Sequence, residues 1–170
     1  MRARRDLVAH RVSECNQLRA HLAVAFPGAI GLFSELDSPV SLAFLAAFPG
    51  QRAAARLDEQ ALAAWLATVP RRGNTAPAGV LAARLAAAPR GAAGADAAQA
   101  AVTAQLAAAT AGLAGRVRAL EAEIAAQLAA HPDQHIFTSL PRAGTLRAAR
   151  LLAETGDCRA RYPDPWSLAG

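Results

Sequence analysis

The chain has 170 residues, which is enough for one domain with a buried core and a small appendage. Its 18 basic residues are all arginine and outnumber 13 acidic residues, giving a formal net charge of +5. Alanine accounts for 48 residues and has the highest helix propensity of all residues, whereas strand-forming residues are scarce. This composition disfavours all-β and doubly wound α/β folds, and we predict an all-α protein.

The cysteine and histidine content argues against stabilising or catalytic metals. Cys15 and Cys158 are too few for a disulfide framework, and four scattered histidines provide no zinc-ligand spacing. We therefore predict no metal and no cofactor, and we place Cys15 on the apolar stripe of a core helix.

Charged residues, Gly and Pro interrupt the apolar stretches, so neither a membrane span nor a secretory signal is predicted. The expected location is cytoplasmic.

The first ninety residues predict several helices. Residues 2–25 form one amphipathic helix, because apolar residues recur at three- and four-residue steps. Ser38-Pro39 predicts the N-cap and first residue of a short helix. Asp58 predicts the N-cap of the next one, and a turn over 71–74 separates it from a helix over about 77–88. Frequent Gly and Pro make this section a set of short helices.

The section from Asp96 to Ala130 contains no proline and predicts one long helix. The steps between its larger apolar residues average about 3.7 residues, nearer to an eleven-residue repeat than to a heptad. We expect this stripe to be buried against helix 2–25 or a second chain, with Arg116, Arg118 and Glu121 exposed. The stripe consists of Val102, Leu106, Ala109, Leu113, Val117, Leu120, Ile124 and Leu128.

The remaining residues, 132–170, form a second predicted domain. Residues 135–138 favour a brief extended segment, and a helix is predicted over 145–155. Asp164-Pro165 has the residue types of a helix start, and the chain stops soon afterwards. We therefore interpret 132–170 as the truncated start of a domain. Residues 1–131 form a helical coiled-coil region, a long helical hairpin with short helices inserted over about 38–90.

The most informative motif is residues 140–152, which match a helix-hairpin-helix pattern. A Pro- and Gly-containing hairpin leads into a helix, and a small residue four positions after Gly144 allows close helix packing. Free backbone N–H groups at such a hairpin attract a phosphate, aided by the helix dipole. Arg142 occupies the position of the usual first glycine. The predicted DNA-backbone contacts are Arg142, Gly144, Thr145, Arg147 and Arg150; the alternative is an ordinary helix start with solvated arginines.

Other candidate groups are weaker. The Arg2-Arg4-Arg5 cluster fits a nucleic-acid contact or a solvated terminus equally well. Ser139 and Ser167 have no activating base at a recognisable spacing, and the paired histidines His131 and His135 have no further metal ligands. No catalytic residue is predicted.

Three stretches resemble the DEDD-type insertion-sequence transposases of the one-ten family, relatives of the Piv invertases. They are residues 4–20 (RRDLVAHRVSECNQLRA), 33–44 (FSELDSPVSLAF), and the run from HPD at 131–133 to TGDCR at 155–159. The resemblance covers essentially the whole chain. It implies a coiled-coil region followed by the opening of the family's C-terminal transposase domain.

In that family, a RuvC-like domain with four acidic residues precedes the coiled coil, and the C-terminal domain carries a catalytic Ser. These enzymes join donor and target DNA under the guidance of a bridging RNA. This chain is expected to begin after the acidic residues and to stop before the Ser. The resemblance thus implies a catalytically incomplete transposase fragment with DNA, a guide RNA, and a second copy or full-length transposase as partners. The alternatives are a helical dimerisation module that regulates the full-length enzyme and a non-enzymatic nucleic-acid-binding protein.

Overall fold

The computed structural model describes residues 2–69, 76–91 and 96–156, and this part of the chain is helical without any strand. The predicted all-α fold is confirmed. The predictions for 71–74, Cys158, Asp164-Pro165 and Ser167 lie outside the described residues. The helices are α1 (Arg2–Ala25), α2 (Pro39–Ala47), α3 (Gln51–Ala54), α4 (Glu59–Thr68), α5 (Ala78–Ala87), α6 (Asp96–Ala130), α7 (Gln134–Thr138) and α8 (Thr145–Thr155), with a 3-10 turn over Pro27–Ala29.

The chain forms two compact units. One, which we call the core unit, comprises Leu7–Gly115; the other, the terminal unit, combines Met1–Asp6 with Arg116–Gly170. Helices α1 and α6 therefore each contribute residues to both units. The domain division at residue 131 suggested by the sequence remains a prediction.

Local capping chemistry sets the starts of two helices in the core unit. The Ser38 hydroxyl accepts a hydrogen bond from the Ser41 N–H at 3.3 Å, and Pro39 occupies the first helical position of α2. The Asp58 carboxylate accepts from the Ala61 N–H at 2.7 Å at the start of α4. Both predicted N-caps are confirmed. Each cap depends on contacts within four residues, so the local sequence is enough to predict it.

Aromatic packing dominates the interior of the core unit. Phe44 is 1% exposed and makes ring contacts with four aromatic side chains. Trp65 meets Phe44 and Phe48 edge-on, with ring centroids 5.6 and 5.7 Å apart. Edge-to-face pairs of this kind add to the stabilisation that apolar burial provides. The other rings that contact Phe44 are Phe26, Phe33 and Phe48.

The segment between α1 and α2 also belongs to this interior, although it contains only one short 3-10 turn. Phe26, Leu32, Phe33 and Leu36 are buried in the same cluster as Phe44. The predicted helix end after Ala25 is confirmed, but the sequence pattern did not show that this connection is buried.

The first half of α6 packs through a different face from the predicted stripe. Thr103, Ala107 and Thr110 are buried, whereas Val102 is 45% exposed and Ala109 is exposed. The Thr103 hydroxyl donates to the Gln99 carbonyl at 3.0 Å, and the Thr110 hydroxyl donates to the Leu106 carbonyl at 2.8 Å. Because each threonine hydroxyl donates to a carbonyl oxygen within α6, Thr103 and Thr110 are buried without an unsatisfied hydrogen-bond donor.

Contacts between α1 and α6 confirm the predicted partner within the chain. In the core unit, His21 Nε2 lies 2.9 Å from the Thr103 hydroxyl oxygen and 3.2 Å from the Gln99 carbonyl oxygen. The Thr103 hydroxyl already donates its proton to Gln99, so His21 Nε2 must be the protonated donor. In the terminal unit, Arg4 Nε donates to Glu121 Oε1 at 2.8 Å.

The second half of α6 follows the predicted stripe only in part. Val117 and Leu128 are buried, but Leu113, Leu120 and Ile124 are half-buried. Arg116 and Arg118 are exposed as predicted. The prediction that Glu121 is exposed is wrong, because its ion pair with Arg4 covers it.

None of the described helices is both long enough and apolar enough to cross a membrane. Cys15 is half-buried and packs against the core-unit cluster, in agreement with its predicted position. Burial, with a smaller contribution from Asp37, raises the pKa of its thiol.

Candidate nucleic-acid interface

The predicted hairpin lies in the terminal unit between α7 and α8, at 139–144. Residues 134–138 form helix α7, so the predicted extended segment at 135–138 is wrong. Hydrogen bonds within the segment stabilise this helix: the Thr138 hydroxyl donates to the Gln134 carbonyl at 2.9 Å, and the Ser139 N–H donates to the His135 carbonyl at 3.1 Å. Pro141 has no N–H with which to continue the helix, and the chain turns there.

The turn itself is a β-turn over Leu140 to Ala143. The Ala143 N–H donates to the Leu140 carbonyl at 3.0 Å, Pro141 occupies the second position, and Arg142 in the third has φ +62°. Proline followed by a positive φ is the arrangement of a type II turn, which normally has glycine in the third position. Arg142 is the single non-glycine residue with positive φ in the described part of the chain. The hairpin therefore keeps the glycine-type backbone conformation with an arginine side chain.

Helix α8 begins without a side-chain cap. Its N-cap, Gly144, has an extended backbone and no side chain, and a Cβ built at Gly144 would have no atom within 4 Å. The N–H groups of Thr145 and Leu146, in the first turn, therefore have no side-chain acceptor. The positive end of the helix dipole makes this open turn favourable for an anion.

The three predicted arginines are exposed, and two of them, Arg142 and Arg147, lie beside this turn. Arg147 Nη1 donates to the Arg142 carbonyl at 3.1 Å, which fixes the Arg147 side chain against the hairpin. Arg150 follows one turn later on α8, and its Nε donates to Glu154 Oε1 at 2.8 Å. This hydrogen bond raises the pKa of Arg150 further above its ordinary value. The structure thus places Arg142, Gly144, Thr145 and Arg147 at the start of α8, whereas Arg150 lies in the middle of the helix and pairs with Glu154.

A small buried apolar cluster packs against the hairpin. Ala148, four residues after Gly144, is fully buried together with Ala149 and Leu128 of α6. Phe137 and Ala143 pack against this cluster. The close helix contact that the motif requires at Ala148 is therefore present.

Two exposed apolar side chains beside the turn were not predicted from the sequence. Ile136 is 45% exposed and Leu140 is 43% exposed. They are four residues apart, but the predicted extended conformation of 135–138 separated them. A helical assignment of that segment would have placed them on neighbouring positions.

The weaker candidates have local, structural partners. The Ser139 hydroxyl donates to the Ile136 carbonyl at 2.9 Å, and His131 Nδ1 accepts from the Asp133 N–H at 3.2 Å. His135 Nδ1 lies 3.2 Å from the Pro132 carbonyl oxygen. Within residues 2–69, 76–91 and 96–156, no three His, Cys, Asp or Glu side chains are grouped so that they could hold a metal ion.

Comparison with protein-family models found no match, and neither the curated proteins nor the solved structures gave one. The assignment to the one-ten transposase family accordingly remains a prediction from the sequence.

Proposed function

We propose that this chain binds the phosphate backbone of DNA through the hairpin and the first turn of α8. The observation that carries the proposal is the conformation of Arg142. Its backbone has the positive φ of a left-handed turn residue, and its carbonyl accepts a hydrogen bond from Arg147 Nη1. Two guanidinium groups and an uncapped helix start thus occupy one small surface. Such a surface contacts phosphate oxygens and carries no base-specific groups.

The biological setting we propose is DNA transposition, with the chain as a catalytically incomplete part of a one-ten-type transposase in the cytoplasm. This setting rests on the resemblance of residues 4–20, 33–44 and 131–159 to that family. In it, the hairpin would help to hold donor or target DNA, or the guide RNA.

Binding measurements on an arginine variant test the hairpin. Replacement of Arg142, Arg147 and Arg150 by Gln removes three charges and keeps most of each side chain. Each lost phosphate contact reduces the slope of log affinity against log salt by about 0.9, so we expect a decrease of about 2 to 3 and at least about tenfold weaker binding at moderate salt. Fluorescence anisotropy with duplexes of unrelated sequence measures both quantities.

The matched control is R56Q/R84Q/R90Q, which removes three exposed arginines from the core unit. It loses the same net charge, so it reports the general electrostatic effect alone. Equal weakening in the two triple variants would contradict the proposed function.

Self-association is a second candidate function, and the exposed side chain of Val102 favours it. Val102 and Val24, 45% and 58% exposed, are apolar residues on long helices that a second chain would cover. In this case V102D should shift the sedimentation of the chain toward a monomer without loss of helicity. A wild-type monomer at tens of micromolar would exclude the dimerisation module.

A further inference from the structure

The terminal unit exposes two large apolar side chains, and both lie beside the hairpin. Ile136 is 45% exposed and Leu140 is 43% exposed. Every other large apolar side chain in the described part of this unit is buried or half-buried. Single exposed apolar residues are common on protein surfaces, but this adjacent pair marks the place in the unit where a contact would remove apolar surface from water.

The pair is a direct neighbour of Arg142. Leu140 is the first residue of the β-turn described above, two residues before Arg142, so the two Cα atoms lie within about 8 Å of each other. The Ser139 N–H donates to the His135 carbonyl, and Ser139 has helical backbone angles, so the path of α7 continues as far as Leu140. Ile136 and Leu140 are therefore one helical turn apart, about 6 Å along the axis.

The surroundings of this pair are cationic. The sequence from 136 to 147 contains no acidic residue, whereas Arg142 and Arg147 are exposed beside the turn. The open first turn of α8 adds the positive end of a helix dipole. A partner that is complementary to this surface has to combine negative charge with apolar surface. Nucleic acid does so, because each phosphate is linked through its sugar to a base with an apolar face.

An intact duplex does not present base faces to a protein, because the bases are stacked and only their edges line the grooves. Proteins reach the faces by inserting Leu, Ile or Pro at a base step, which partly unstacks the step and kinks the duplex. The hairpin has these residue types next to its cations. Within the described part of the terminal unit, no aromatic ring is exposed for stacking on a single strand. The chemistry therefore favours a distorted duplex over a single strand.

We propose that Ile136 and Leu140 contact the bases of an unstacked step next to the phosphate that the hairpin binds, so that the preferred ligand is a duplex already distorted at that step. This inference rests on the proposed function, because the arginines supply the phosphate contact. A mismatch lowers the cost of unstacking before the protein binds. The chain should therefore prefer a mismatched duplex to a fully paired one.

The test measures fluorescence anisotropy with two duplexes of about 20 base pairs, one fully paired and one with a central mismatch. Both carry the same phosphates, so their electrostatic contributions are matched. We expect the wild-type chain to bind the mismatched duplex about tenfold more tightly. I136A/L140A should lower this ratio to about twofold or less, while the affinity for the paired duplex and the salt slope stay close to wild type.

The matched control is V12A/V80A, which truncates two exposed apolar side chains of the core unit. It should keep the wild-type ratio, and circular dichroism verifies that both variants keep wild-type helicity. The wild-type ratio tests the inference without any variant. Equal affinity of the wild-type chain for the two duplexes would overturn it, and so would a ratio that survives in I136A/L140A. A reduced self-association of I136A/L140A in sedimentation, with the ratio unchanged, would assign the pair to a contact with a second copy instead.

The hairpin variant R142Q/R147Q/R150Q separates this inference from the proposed function. If it binds both duplexes more weakly than R56Q/R84Q/R90Q does while the wild-type chain shows no preference, the proposed function stands and the inference is rejected. If it binds both duplexes as well as R56Q/R84Q/R90Q does, the phosphate contact of the hairpin is rejected, and the inference that rests on it falls as well.

Discussion

The core unit and the terminal unit differ in both packing and charge. The core unit buries an aromatic cluster around Phe44 and balances its described charges, whereas the terminal unit buries Leu128 with two alanines and carries excess arginine. Apolar burial is the main source of stability, and exposed cations are the main source of affinity for a polyanion. The comparison teaches that the main source of stability and the proposed nucleic-acid contact belong to different units.

The largest expected effect is on the core unit. Phe44→Ala removes a ring that is 1% exposed and contacts four other aromatic side chains, so we expect a loss of about 3 to 5 kcal/mol in the free energy of unfolding. Urea denaturation followed by circular dichroism measures it. Val12→Ala, at a position 49% exposed, is the control and should change stability little. A loss below about 1 kcal/mol for Phe44→Ala would show that the cluster is not the source of stability.

A smaller effect is expected in the terminal unit. Leu128→Ala removes a side chain that is 4% exposed in a small cluster, and should cost about 2 to 3 kcal/mol. Hydrogen exchange should show reduced protection for amides of α8 while those of α4 stay protected, because local units open independently. Ile136→Ala serves as the exposed control. Equal loss of protection in α4 would mean that the two units unfold together.

Two buried threonines on α6 provide a matched pair for a third prediction. Thr103→Val removes the acceptor 2.9 Å from His21 Nε2 and should cost about 1 kcal/mol. Thr110→Val removes a hydroxyl that bonds only within its own helix, and stability should stay nearly unchanged. Thermal unfolding of both variants measures the difference. Equal effects would show that the contact with His21 contributes nothing.

The smallest effect is opposite in sign. Arg142→Gly relieves the positive φ of the turn, and we expect a gain of about 0.5 to 1 kcal/mol in stability. The same change removes a hairpin cation and should weaken DNA binding severalfold. Paired denaturation and anisotropy measurements test this. Arg147→Gly is not a suitable control, because it would place glycine inside α8; Arg147→Gln should weaken binding without a gain in stability.

Local signals in the sequence predicted local structure well. The caps at Ser38 and Asp58 and the bounds of α6 depend on contacts within a few residues, and the structure confirms them. The hairpin positions 142–147 were likewise found from their spacing. Their role in binding is a prediction that the geometry supports.

Other features depend on residues far apart in the chain. The ion pair that covers Glu121 involves Arg4, 117 positions away, and no periodicity within α6 reveals it. Hydrophobicity ranks Val102 above Thr103, yet Thr103 is the buried residue, and its hydroxyl is satisfied within the helix. A pattern that classes each residue only as apolar or polar does not show whether a hydroxyl is hydrogen-bonded within its own helix.

The ring contacts of Trp65 have an optical consequence. Its indole is half-buried and lies edge-on against Phe44 and Phe48, inside the core unit. The chain contains one other tryptophan, Trp166. In a W166F background, tryptophan fluorescence, excited at wavelengths that Tyr162 does not absorb, would therefore originate from the core unit alone, whereas helical circular dichroism samples both units. Nonidentical melting curves from these two signals would give each unit its own transition temperature in a single unlabelled sample.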